Sequence, residues 1–193
     1  MKISSDQLKE LRNETGVSVM QCKKALEEAG GDKEKALVLL KKKGAEVAAK
    51  KSDREFGAGV IGVYSHNTQT VASMVYLACE TDFVAKNEKF VNLARDIAMH
   101  VTALNPKFLT LADISEDTLK SAKSVFEEEV KDKPVDLQEK ILSGKIESYF
   151  KDQVLMEQSF VKDSDKTIDD LVKNAIQTFG ENIAVVEFKR LSV

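Results

Sequence analysis

The sequence predicts an α+β protein in which an N-terminal bundle of three short helices precedes a core made of a small antiparallel sheet covered by helices. Three observations carry that expectation. Caps and glycines punctuate the first fifty residues as three helices. Runs rich in Val, Tyr and Ala with period-two features follow at 60–64 and 70–79, and a third strand-like run lies far away at 183–191, beyond a series of amphipathic helical stretches.

Ser5 is placed to cap a first helix carrying Leu8 and Leu11, which Thr15-Gly16 stops. Ser18-Val19-Met20-Gln21 has the spacing of a capping box and opens a second helix that presents Cys22, Ala25, Leu26 and Ala29 until Gly30-Gly31 ends it. Asp32 caps a third. Ala36, Leu37, Leu39 and Leu40 form its apolar stripe, Lys41-Lys42-Lys43 complements its C-terminal dipole, and Gly44 sits where a left-handed C-cap is wanted. These helices define a module over residues 1–52, and the polar stretch Ser52, Asp53, Arg54 marks its boundary with a core over 53–193. Within the core, Ser65-His66-Asn67-Thr68 is turn chemistry between two strands, so a hairpin is expected. Helices are predicted at 87–104, closed by Asn105-Pro106, at 115–131, at 135–150 with a break near Gly144, and at 167–179.

Composition bounds what these elements can do. A chain of 193 residues with 42% hydrophobic content supports a packed core, as expected of a soluble globular protein. Cys22 and Cys79 are too few for a disulfide framework, the N-terminus turns polar at once, and no run reaches membrane-spanning length. A cytoplasmic protein without membrane contact is the expectation. Through Lys51 there are 12 Lys+Arg against 8 Asp+Glu, and beyond it 17 against 24, an asymmetry that also suggests two modules. The basic excess is small and the first fifty residues hold no aromatic side chain for base stacking, which disfavours nucleic acid as a partner.

Catalysis by this chain is not expected. His66, Cys79 and Asp82 lie near one another in sequence, but nothing supplies an activated thiolate or an oxyanion site, and Cys79 falls in a strand-like run as a small buried hydrophobe. His100 sits beside the apolar stripe of its helix, where a structural histidine is the plainer reading. With two histidines and no phosphate-binding glycine loop, no metal, cofactor or nucleotide site is predicted. What remains is Glu80-Thr81-Asp82-Phe83-Val84-Ala85-Lys86-Asn87, between the hairpin and the next helix. Phe83 is there either a staple packing onto that helix near Phe90 or an exposed anchor for a partner.

Thr15-Gly16, Met20 with Cys22-Lys23-Lys24-Ala25-Leu26, the run Thr81-Asp82-Phe83-Val84-Ala85-Lys86, Ile97-Ala98-Met99-His100-Val101, the stretch 155–163, and Gly180-Glu181-Asn182-Ile183 follow one another along the chain. In this order they resemble the motifs of the elongation factor Ts family. The resemblance implies a ubiquitin-associated-like N-terminal module and a core that grips the GTPase elongation factor Tu, promoting GDP release by binding rather than by chemistry. It implies that Asp82 and Phe83, flanked by Thr81 and Val84, enter the partner near its magnesium site. It further implies that Val19 and Met20 pack on the partner's nucleotide-binding domain, and that the turn Tyr64-Ser65-His66 pushes toward its phosphate-binding loop. Ser18-Val19-Met20-Gln21 departs from the commoner Met-Met-Asp ending, and Ser159 stands where Pro is frequent. Longer members duplicate the core and insert a helical hairpin, whereas this chain has room for one copy, so a homodimer is expected. The alternative is a non-exchange interaction module that carries a ubiquitin-associated-like domain.

Overall fold

A computed structural model describes residues 3–131 and 134–193. The first helix, α1 (Ser5–Thr15), is capped by Ser4 rather than Ser5: Ser4 Oγ accepts from the Gln7 amide while the Gln7 side chain accepts from the Ser4 amide. Gly16 closes it in the left-handed region at φ 71°, its amide donating to the Arg12 carbonyl over 2.8 Å. The helix α2 (Val19–Glu28) opens on half a capping box. The Gln21 amide donates to Ser18 Oγ at 3.4 Å, but the Gln21 side chain does not reach back, and its Oε1 is buried with no partner. Leu11, Val17, Cys22, Ala25, Leu26, Ala36 and Leu40 close a small core among the three helices.

The third helix corrects an expectation. Asp32 caps α3 (Lys33–Lys51) as predicted, but Gly44 does not end it. Gly44 lies inside a helix of 19 residues, where a β-carbon would come within 3.0 Å of the Gln177 side chain and 3.7 Å of the Lys173 carbonyl, so glycine there allows close helix packing. Beyond it, Val47 and Ala48 pack on the second core, and Lys41 pairs with Asp170 at 2.8 Å across the seam.

The core then follows as β1 (Ala58–Ser65), β2 (Val71–Cys79), the one-turn helix α4 (Asp82–Ala85), α5 (Glu88–Leu104), α6 (Glu116–Val130), α7 (Val135–Lys151), β3 (Ser159–Phe160), β4 (Asp163–Thr167), α8 (Ile168–Phe179) and β5 (Ile183–Ser192). The sheet runs β1-β2-β5 with both pairs antiparallel, as the hairpin and the distant third strand predict; β3 and β4 form a separate short pair. Val75, Leu77, Cys79 and Val185 face inward onto Phe90, Ala94, Ile97 and Val101 of α5 and Ile168, Val172 and Ile176 of α8. At Gly62 the helix crosses so closely that a β-carbon would collide with the Ala94 carbonyl. The alternate residues Ile61, Val63, Met74 and Leu191 leave the opposite sheet face apolar and exposed.

Two further expectations change. Gly144 does not break α7, because nothing crowds it and one glycine in a long exposed helix costs only about 1 kcal/mol. The chain also carries a helical hairpin with a single core copy: α6 and α7 pack on each other through Phe126, Tyr149 and Phe150. Among the described residues, no helix is long and apolar enough to cross a membrane.

Candidate functional site: the turn after the central strand

The β2 strand ends at Cys79, and the chain must turn before α5 can lie back across the sheet. It does so through Thr81 in extended conformation and the single helical turn α4, after which Asn87 caps α5 by accepting from the Lys89 amide at 3.0 Å. One turn of helix sends successive side chains about 100° apart, so not all four residues can face the core. Val84 and Ala85 do, at 9% and 8% exposure, and Phe83 therefore points out, 84% exposed. That excludes the staple. A staple pairs the residue before the cap with the fourth helical residue, here Lys86 and Val91, and Phe90 instead meets Phe179 edge-on at 6.0 Å.

Val84 is thus spent in the core cluster and anchors the turn, leaving Thr81, Asp82 and Phe83 as its accessible residues. Asp82 pairs with Lys86 at 2.6 Å, one helical turn on, and that hydrogen-bonded ammonium holds its carboxyl below the usual value. Behind the turn lies a network that sequence reasoning missed. The Glu80 and Thr81 amides each donate to Glu181 Oε2 at 3.0 Å, and the Thr81 hydroxyl donates to Oε1 at 2.5 Å. Glu80 reciprocates. Its carboxylate accepts from the Asn182 amide at 2.5 Å and from Arg54 at 3.3 Å, which together lower its pKa. The signal was present in Gly180-Glu181-Asn182, but no local periodicity tells which turn such a carboxylate serves.

The other candidate residues lie apart. Val19 and Met20 are the first residues of α2, 43% and 76% exposed. His66 is exposed in the hairpin loop, its Nδ1 3.3 Å from the Tyr64 hydroxyl. Ala58 pairs with Cys79 at the turn end of the hairpin and Ser65 with Ala72 at the other, so His66 is displaced from the turn by roughly 23 Å at about 3.3 Å per residue. His100 is structural: buried, with Nε2 2.8 Å from Gln158 Oε1 and Nδ1 accepting from the Val161 amide at 3.2 Å, and burial lowers its pKa. Cys79 is buried under the turn, its thiol pushed up by desolvation, the opposite of an activated nucleophile.

Comparison with known proteins adds a family to this geometry. The profile of the family described as Elongation factor TS matches residues 39–193. The protein named Elongation factor Ts of Thermosipho melanesiensis is 44% identical over 193 residues, spanning 99% of this chain and 98% of that one. Those of Fervidobacterium nodosum and Leptospira biflexa are 43% and 45% identical over 195 residues, each spanning 100% of this chain and 99% and 98% of their own.

Proposed function

From the premise that this chain belongs to the elongation factor Ts family, and so to the translation elongation factors, we propose that it releases GDP from elongation factor Tu by inserting the turn at Asp82 and Phe83 near the GTPase's magnesium and phosphate site. The observation that carries the reading is an 84% exposed phenylalanine on a turn whose next two residues, Val84 and Ala85, are buried. A water-exposed ring held on a fixed backbone is the kind of side chain that fills a partner's pocket at small ordering cost. The mechanism is linkage. A protein that binds the nucleotide-free GTPase more tightly than the nucleotide-bound form weakens nucleotide binding by the same factor, and each tenfold of that weakening needs about 1.4 kcal/mol of differential affinity. Phe83 supplies apolar contact, and Asp82 brings an acid toward the groups that hold the magnesium ion. Val19 and Met20 add contact area away from the wedge, and His66 forms a separate contact at the hairpin tip. Exchange by this route is binding, not catalysis of a bond change, and takes place in the cytoplasm with translation.

Fluorescent GDP release from elongation factor Tu, measured with and without this protein, tests the proposal. Acceleration is expected; an unchanged release rate with a folded protein removes it. The exposed outer sheet face favours a second element of the reading: Ile61, Val63, Met74 and Leu191 are covered by another copy of this chain, giving a homodimer. A monomer mass by light scattering across micromolar concentrations, free and in complex, removes the dimer and leaves the exchange reading standing.

A further inference from the structure

The turn that presents Phe83 is held from a distant part of the chain. Since β2 ends at Cys79 and α4 starts at Asp82, the amides of Glu80 and Thr81 have left the strand ladder without entering a helix, and Thr81 makes no side-chain cap to α4. Both amides and the Thr81 hydroxyl end on one carboxylate, that of Glu181, with both of its oxygens used. We propose that Glu181 is a positioning residue for nucleotide exchange, fixing the backbone from which Asp82 and Phe83 project; this rests on the wedge reading above.

The geometry assigns a direction as well as an anchor. Two successive amides and a hydroxyl bound to one planar acceptor leave the turn a single orientation, because rotating it by one residue would expose at least one donor without an acceptor. The clasp closes on both sides: Glu80 Oε1 accepts from the Asn182 amide, and the Asn182 side chain donates to the Ser52 and Arg54 carbonyls at 3.4 and 2.8 Å. Lys51 Nζ donates to the Gly180 carbonyl at 2.6 Å. The segment 180–182 therefore ties the wedge turn to the end of α3, and thereby to the body that carries Met20.

The test combines Glu181→Ala and Glu181→Gln with Phe83→Ala and measures GDP release from elongation factor Tu at saturating factor, with amide exchange at residues 80 and 81. Glu181→Ala is expected to slow release more than tenfold and to lose protection at the Glu80 and Thr81 amides while the β2 and β5 amides keep theirs. Glu181→Gln, whose amide oxygen still accepts from both backbone groups and whose NH₂ can donate to the Thr81 hydroxyl, recovers most of the rate. In the Phe83→Ala background Glu181→Ala adds at most the small share carried by Asp82, as a group acting through the wedge must behave. Wild-type release by Glu181→Ala, or losses that multiply in full with those of Phe83→Ala, overturn the positioning role. If Glu181→Ala does not fold, Thr81→Val takes its place: release several-fold slower with unchanged melting, and no slowing by Thr81→Ser, supports the clasp, and wild-type release by Thr81→Val overturns it. Slow release by Phe83→Ala beside wild-type release by Glu181→Ala defeats only the clasp, whereas wild-type release by a folded Phe83→Ala defeats the wedge itself.

Discussion

Met20 and Phe83 are both large apolar side chains left in water, at 76% and 84% exposure, yet the backbones that carry them are held very differently. The start of α2 has one side-chain cap bond of 3.4 Å beside the Cys22 amide bond to the Ser18 carbonyl at 3.0 Å, and leaves the Gln21 side-chain Oε1 unpaired. The turn at Phe83 has three donors on Glu181, a reciprocal bond through Glu80 and two buried residues, Val84 and Ala85, fixing it to the core. Exposure alone does not separate an anchor from a contact. The hydrogen bonds behind the side chain do, because a group already ordered spends less of its contact energy on becoming ordered when it binds.

The largest expected effect tests the rigid side of that contrast. Phe83→Ala should slow GDP release more than tenfold, in line with the roughly 2–4 kcal/mol lost on truncating a buried interface aromatic, while the melting temperature barely moves. A drop in melting with exchange lost only through unfolding would return Phe83 to a packing role. Next, deleting residues 1–31, which spares α3 and its bonds to the core and to the 180–182 segment, should weaken binding to the partner about tenfold, or about 1.4 kcal/mol, and the isolated module of residues 1–52 should leave GDP release unchanged. Acceleration by the isolated module would reverse the ranking of the two sites. Smaller again, Met20→Ala should cost about 1 kcal/mol of affinity, read by titration calorimetry, since a flexible thioether on a loosely capped helix start recovers only part of its buried area. A loss equal to that of Phe83→Ala would show that backbone order does not decide the difference.

The smallest effect is on pH. The folded pKa of Glu80 is lowered, chiefly by the Asn182 amide and then by Arg54, so its stabilisation is present above the ordinary carboxyl value of 4.5 and is lost as pH falls through the depressed one. The first turn of α2 holds no acidic residue and its cap is a neutral serine. Amide protection at Asn182, which donates to Glu80, should therefore decline before that at Gln21 as the solution is taken below pH 4.5. Equal decline would remove Glu80 from the account of what holds the turn.

Much of the fold was legible because its signals are local. Asp32, Asn87, Ser115 and Thr167 cap the helices that follow them, and the two long strands of the hairpin pair as their alternation predicts. Gly144 and the Ser4 cap are local matters, but other misreadings come from packing between distant segments. Gly44 carries a stop signal, but the gap it leaves is filled by Gln177 of α8, so the helix continues. Phe83 reads equally well as staple or anchor until the extra turn of α4 puts Lys86 where the staple would be. The acidic and polar β4 strand, Asp163–Thr167, has no strand-like composition at all and follows from its pairing with Ser159 and Phe160. In the sequence Glu181 is legible only as part of a motif, for its partners lie about a hundred residues away.

The unbroken course of α3 through Gly44 has a consequence for two-point attachment. A helix of 19 residues is about 28 Å long at 1.5 Å per residue, and it leaves the N-terminal bundle and ends against the core with no flexible tether between them. When one of two contacts on a partner forms, the second is confined to a small volume around its target, and its effective concentration is set by the stiffness of the connection. A stiff strut of matching span concentrates the second site far more than a coil of the same residue count, and a strut of the wrong span excludes it altogether. By filling the space beside Gly44 with Gln177, the chain turns a residue that usually ends helices into part of a ruler.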